Sequence, residues 1–175
     1  MPTNLSVPHG TNPRYSYAPE HADQVIDAVA EHDPLAAEVL RWQLACGLRT
    51  SEAVRLRLDK LDFEQGMLET KGKGGKLRKI KIPDRALLEQ LDRTRRFPLL
   101  RGNATSQTRH IQDLVAEACE ALNITPAGTH GLRAGAAQRT LDEQTESGVD
   151  ERTARKNVAQ LLGHDRTSVT RSYAP

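Results

Sequence analysis
Between Leu61 and Ile82 the apolar residues adopt a period of two, whereas on either side they recur at helical spacing. Leu61-Asp-Phe63, Met67-Leu-Glu-Thr-Lys71 and Leu77-Arg-Lys-Ile-Lys-Ile82 read as three short strands, with Gly66 and Lys73-Gly-Gly75 at the turns. Strands this short, joined by turns this tight, can build only one small antiparallel sheet. The rest of the core must be helical. The expected fold is therefore mainly α with a small three-stranded antiparallel β-sheet (α+β).

Residues 1–19, with Pro2, Pro8, Pro13 and Pro19, read as an extended tail or linker remnant ahead of one domain over 20–175. The first helix is expected from about Glu20 to Glu31, with Val25, Ile26 and Val29 inward. Asp33 caps and Pro34 opens a second, whose inward stripe is Leu35, Val39, Trp42 and Cys46 and whose end is Gly47. Thr50 or Ser51 starts a short helix carrying Val54 and Leu58, which pins Arg49 in a corner. Pro83 ends the sheet, and Asp84 opens a helix with Leu87, Leu88 and Leu91. A basic, irregular stretch covers about Arg93 to Gly102. A long helix follows from about Ser106 to Leu122, with Ile111, Leu114, Val115 and Ala118 inward. Thr129 is expected to cap a helix that begins at His130, and the acidic stretch from Asp142 to Glu151 to turn in solvent. A further helix runs from about Asp150 to Leu162 and stops at Gly163, and a last short one reaches from about Arg166 to Tyr173.

With 37% apolar residues in 175 and few aromatics, Leu, Val, Ile and Ala must fill the interior. No apolar run approaches the roughly 20 residues that span a bilayer, and no secretory signal opens the chain. Cys46 and Cys119 lie in helical patterns with neither metal spacing nor a disulfide framework, so a reducing, cytoplasmic setting is expected.

The net charge of +2 conceals an asymmetry. Twelve Lys or Arg against three acids fall between Lys71 and Arg109, and the run 71–81 holds six basic residues and no acid. Lys71, Lys76, Arg78 and Lys79 are candidate contacts to a polyanion held at one face. A solvated hairpin whose lysines protect a sheet edge has the same composition.

Taken singly, the chemistry-bearing residues are ambiguous. Arg49 suits a phosphate with its planar fork, or an ion pair with Glu52. His130 and Arg133, at i and i+3 in a first helical turn, form an anion site or a capping histidine beside a surface arginine. Lys73 sits at a glycine-rich hairpin tip that approaches a ligand or simply moves in solvent. His164 is a site residue or a helix-end cap, and Tyr173 a nucleophile or a packing residue.

Their order removes much of that ambiguity. Gly-Leu-Arg49-Thr-Ser-Glu, Gly-Lys73-Gly-Gly-Lys twenty-four residues later, Thr-His130-Gly-Leu-Arg133, and Leu-Leu-Gly-His164 nine residues before Tyr173 together resemble the boxes of the tyrosine recombinases, or phage-type integrases. The resemblance covers about residue 20 to the end of the sequence. It implies a catalytic domain in which Arg49 and Arg133 clamp a DNA phosphodiester and Tyr173 attacks it, giving a 3′-phosphotyrosyl link. His130 would help take the tyrosine proton, Lys73 would protonate the departing 5′-oxygen, and His164 would hydrogen-bond the phosphate. Double-stranded DNA is the implied partner, with neither metal nor other cofactor.

The family's usual N-terminal DNA-binding domain and its helix after the tyrosine have no counterpart in this sequence. A monomer that assembles further only on DNA is accordingly expected. A type IB topoisomerase shares much of this chemistry, although the His-x-x-Arg histidine favours a recombinase. A non-catalytic DNA-binding remnant is the alternative of another class.

Overall fold
A computed structural model of the protein describes residues 16–91, 100 and 102–163, with the backbone alone at Lys73. Among these residues seven α-helices and one sheet follow in the order α1 (Pro19–His32), α2 (Pro34–Cys46), α3 (Thr50–Ala53), β1 (Leu61–Asp62), β2 (Met67–Lys71), β3 (Leu77–Lys81), α4 (Arg85–Glu89), α5 (Ala104–Ala121), α6 (Gly128–Glu146) and α7 (Glu151–Leu162). The fold is mainly helical with a small antiparallel sheet, as the periodicity predicts.

Helix α2 is the centre of the body. The Asp33 carboxylate accepts from the Ala36 amide at 3.0 Å, Pro34 occupies the first turn, and Gly47 closes the helix in the left-handed region at φ 62°. Eight of its residues are buried, including Ala36, Ala37, Leu40 and Leu44 outside the expected stripe. Leu35, a member of that stripe, is only half-buried. The cause is packing on more than one side, by α1 and α6.

Sheet order is β1-β2-β3, with Leu61 opposite Leu68 and Leu68 opposite Ile80. These residues and Ile82 are buried, whereas Leu77, Lys79 and Lys81 face solvent. The short helix α3 ends at Ala53, and Leu58 belongs to a separate 3-10 turn. Helix α5 starts two residues before the expected Ser106, capped by Asn103.

Three expectations give way. Tyr17, placed by the sequence in the tail, is a core residue with 5% exposure. Its hydroxyl accepts from the Ala127 amide at 3.0 Å and contacts Cys119 Sγ at 3.5 Å. Burial pushes its phenol well above the ordinary range. Thr129 does not cap α6, which begins one residue earlier at Gly128; its carbonyl instead accepts from the buried Gln43. Much of the acidic stretch extends α6 to Glu146 before a turn at Ser147-Gly148. Asp150 then caps α7. Helices α6 and α7 close on a small cluster of Ala134, Ala137, Leu141, Ala154, Val158 and Leu162.

No described helix is long and apolar enough to cross a membrane. Both cysteines are buried and free, and burial pushes the Cys46 thiol up to about 12, which leaves it unreactive near neutral pH.

Candidate active site
Three segments that are distant in sequence meet around one carboxylate. Glu52, on α3, has a side chain only 3% exposed. Its Oε2 accepts from the Arg49 amide at 2.7 Å and from Arg78 Nη2 at 2.7 Å, and its Oε1 accepts from Arg49 Nη1 at 3.0 Å. Arg133 Nη1 stands 3.9 Å from Oε2. A buried carboxylate is tolerated only when its charge and lone pairs are met, and three guanidinium groups do this here.

The Arg49 corner follows from Gly47. The left-handed glycine ends α2 and turns the chain, and the Glu52 carboxylate bonds back to the Arg49 amide at the start of α3. Gln43 fixes the corner from beneath. Its amide donates to Thr50 Oγ1 at 3.2 Å and to the Thr129 carbonyl at 3.0 Å, tying the Arg49 segment to the residue before His130.

Arg133 is not a surface arginine. It lies in the second turn of α6, wholly buried, and donates to the carbonyls of Gly47 and Leu162. His130, in the first turn, is exposed. The His-x-x-Arg spacing therefore separates one outer and one inner residue.

The hairpin also approaches Glu52. A Cβ added to Gly72 would stand 3.7 Å from Glu52 Oε1 and 3.8 Å from Arg49 Nη1. Lys73 follows at the tip, and its side chain lies outside the described residues. Lys71, Lys76 and Lys79 are exposed on the hairpin, but Arg78 is turned inward with a side chain 11% exposed. Expected on the polyanion-facing surface, Arg78 instead pairs with Glu52 and donates to the Leu161 carbonyl. Strand alternation explains the difference, since Arg78 shares a face with Ile80 and Ile82.

The last turn of α7 completes the arrangement. Helix ends leave carbonyls without intrahelical partners, and here Arg78 meets Leu161 while Arg133 meets Leu162. The next residue, Gly163, is left-handed at φ 66° and packs on the Arg78 side chain. His164 and Tyr173 lie outside the described residues. So the structure brings Arg49, Arg133, the hairpin and the segment leading to His164 together, and it adds Glu52 and Gln43 as supports. Among the described residues, no three His, Cys, Asp or Glu side chains gather as metal ligands do.

The model of the phage integrase family matches residues 17–175. A tyrosine recombinase XerD of Pseudomonas putida is 32% identical over 161 residues, covering 84% of this chain and 50% of that protein. The XerD of Pseudomonas aeruginosa is 32% identical over 166 residues, 87% of this chain and 52% of that protein. The chain thus spans about half the length of these curated relatives. In fold it resembles the catalytic domain of bacteriophage HP1 integrase, with a TM-score of 0.67 at 20% identity over 92% of this chain and 89% of that one. It also resembles the XerH site-specific recombinase bound to difH substrate, with a TM-score of 0.65 at 17% identity over 92% of this chain and 50% of that one.

Proposed function
The chain belongs to the phage integrase family, and on that premise we propose that it cleaves and rejoins double-stranded DNA through a 3′-phosphotyrosyl intermediate. The observation that carries the reading is the convergence of the Arg49 corner, the hairpin and Arg133 on Glu52, with the end of α7 held to that cluster by Arg78 and Arg133.

Attack on a phosphodiester adds negative charge to its non-bridging oxygens, and preorganised guanidinium groups stabilise that charge most effectively when little water surrounds them. Arg49, partly exposed above Glu52, meets the phosphate first. Arg133 joins by exchanging one backbone carbonyl for a phosphate oxygen, which couples phosphate binding to the end of α7. Tyr173 Oη forms the bond to phosphorus as the P–O5′ bond breaks. His130 assists removal of the tyrosine proton, Lys73 delivers a proton to O5′, and His164 hydrogen-bonds the phosphate. The ester stays activated in the phosphotyrosine, so rejoining by a 5′-hydroxyl requires neither ATP nor metal.

Lys71, Lys76 and Lys79 hold the DNA backbone beside this centre. Away from DNA the protein is a cytoplasmic monomer; among the described residues only Leu77 and Leu122 are large hydrophobics left exposed.

The test uses nicked duplexes with randomised arms, so that the short released strand diffuses away and the covalent species accumulates. Wild-type protein is expected to form an adduct that survives denaturation, and Tyr173→Phe none. The reading fails if wild type forms no adduct, or if peptide mapping places the nucleotide elsewhere than on Tyr173.

A further inference from the structure
Arg78 forms more contacts than neutralising Glu52 requires. The Arg49 guanidinium already pairs with that carboxylate at 3.0 Å, and Arg133 stands 3.9 Å away. Arg78 reaches from β3 across Glu52 to the Leu161 carbonyl on α7. Its aliphatic stem lies against Gly163 so closely that a Cβ there would stand 2.8 Å from Arg78 Cδ.

Resting on the function proposed above, we infer that Arg78 is a positioning residue that locks the Lys73 hairpin to the end of α7. One planar fork joins three segments: its own hairpin, α3 through Glu52, and the last turn of α7 ahead of His164. The hairpin that carries Lys73 and the last turn of α7 are thereby held in register. An ammonium on a flexible stem cannot hold Glu52 and Leu161 with the same fixed geometry. Loss of the fork leaves the hairpin free to shift relative to the phosphate, and a displacement of about 1 Å at a reacting group costs on the order of 100-fold in rate.

The step that responds is departure of O5′. As the bond from Tyr173 Oη to phosphorus forms, the P–O5′ bond breaks and O5′ takes a proton from Lys73. With sulfur at the 5′-bridging position the leaving group departs as a thiolate and needs no proton. A sulfur-bridged substrate therefore bypasses the group that Arg78 is inferred to position.

The experiment compares wild type, Arg78→Met and Arg78→Lys on duplexes recovered by the wild-type protein from the randomised pool, each made with 5′-bridging oxygen or sulfur. Arg78→Met is expected to slow single-turnover adduct formation about 100-fold with oxygen, with most of the loss recovered by sulfur. Arg78→Lys should fall between. Hydrogen exchange on the same proteins reads the coupling without DNA. The amides of Gly72 and Gly75, bonded within the hairpin, and of Gly163, bonded to the Gln160 carbonyl, should exchange faster in Arg78→Met, while those of α2 keep their protection. Equal losses on the two substrates, or exchange that is unchanged or raised uniformly across α2 as well, would overturn the inference. A wild-type protein without an adduct defeats the proposed function instead, and hydrogen exchange alone then decides whether Arg78 couples the hairpin to α7.

Discussion

Arg133 donates through one guanidinium nitrogen to the carbonyl of Gly47, the residue that ends α2 two positions before Arg49. Arg49 and Arg133 are thus joined through the backbone, and the corner that holds one rests on the side chain of the other. Glu52 stands beside both.

Glu52→Gln should therefore destabilise the fold while leaving its shape intact. The amide keeps the volume but removes the charge that offsets Arg49, Arg78 and Arg133. Losing one partner of a buried ionic cluster costs about 3–5 kcal/mol, a shift readily measured as a lower urea midpoint at unchanged m-value. A change of less than about 1 kcal/mol would mean that solvent, and not Glu52, compensates the three arginines.

Gly131 bears on the same box from the other side. A Cβ there would lie 2.5 Å from the Ala127 Cβ and 2.8 Å from the Tyr17 ring. Gly131→Ala should thus cost about 1–3 kcal/mol by overpacking. Tyr17→Phe should cost a similar amount, because the Ala127 amide loses its acceptor. Covalent adduct formation by Tyr17→Phe should persist, since this phenol is buried and held neutral. Loss of the adduct in that variant, with the fold intact by circular dichroism, would assign Tyr17 a role beyond packing.

Much of this architecture was legible in the sequence because its cues are local. Asp33-Pro34, Gly47 and Gly163 mark helix ends by their own conformational preferences, and period-two spacing marks the sheet. The four motifs and Tyr173 were legible as an ordered set. Less visible was what tertiary contact decides. Tyr17 sits between Pro13 and Pro19, and Gly131, more than a hundred positions away, makes room for its ring. Arg78 belongs by composition to a basic run, yet its alternation with Ile80 and Ile82 already placed it inward. Glu52 was legible as a partner of Arg49, but its contacts with Arg78 and Arg133 depend on how the sheet and α6 pack.

The Asp33 cap yields a pH dependence. Burial raises this carboxyl's pKa, but the Ala36 amide and the His110 ring outweigh that, and the net shift is downward. A folded pKa below the unfolded one adds stability above the unfolded value of about 3.9, and that stability is lost as the pH falls through the folded value. Wild type should accordingly lose stability on acidification below about pH 4 more steeply than Asp33→Asn, which keeps a capping oxygen without a titrating charge. Urea midpoints of the two proteins across that range supply the measurement. Parallel curves would show that the cap contributes nothing through its charge.

The hairpin cations divide into two kinds, and salt dependence separates them. Lys71, Lys76 and Lys79 are exposed, whereas Arg78 spends its charge on Glu52. Each lysine that neutralises a DNA phosphate releases counterions, so its replacement by alanine should flatten the log–log dependence of DNA affinity on salt by about 0.9. Arg78→Met should lower affinity, if at all, without changing that slope, because its charge does not face the backbone. Titration of a fluorescent duplex at a series of salt concentrations measures both quantities. A slope that flattens for Arg78→Met as much as for Lys79→Ala would put Arg78 on the DNA and its pairing with Glu52 outside the bound state. A slope unchanged in all three lysine variants would remove the hairpin from the DNA interface altogether.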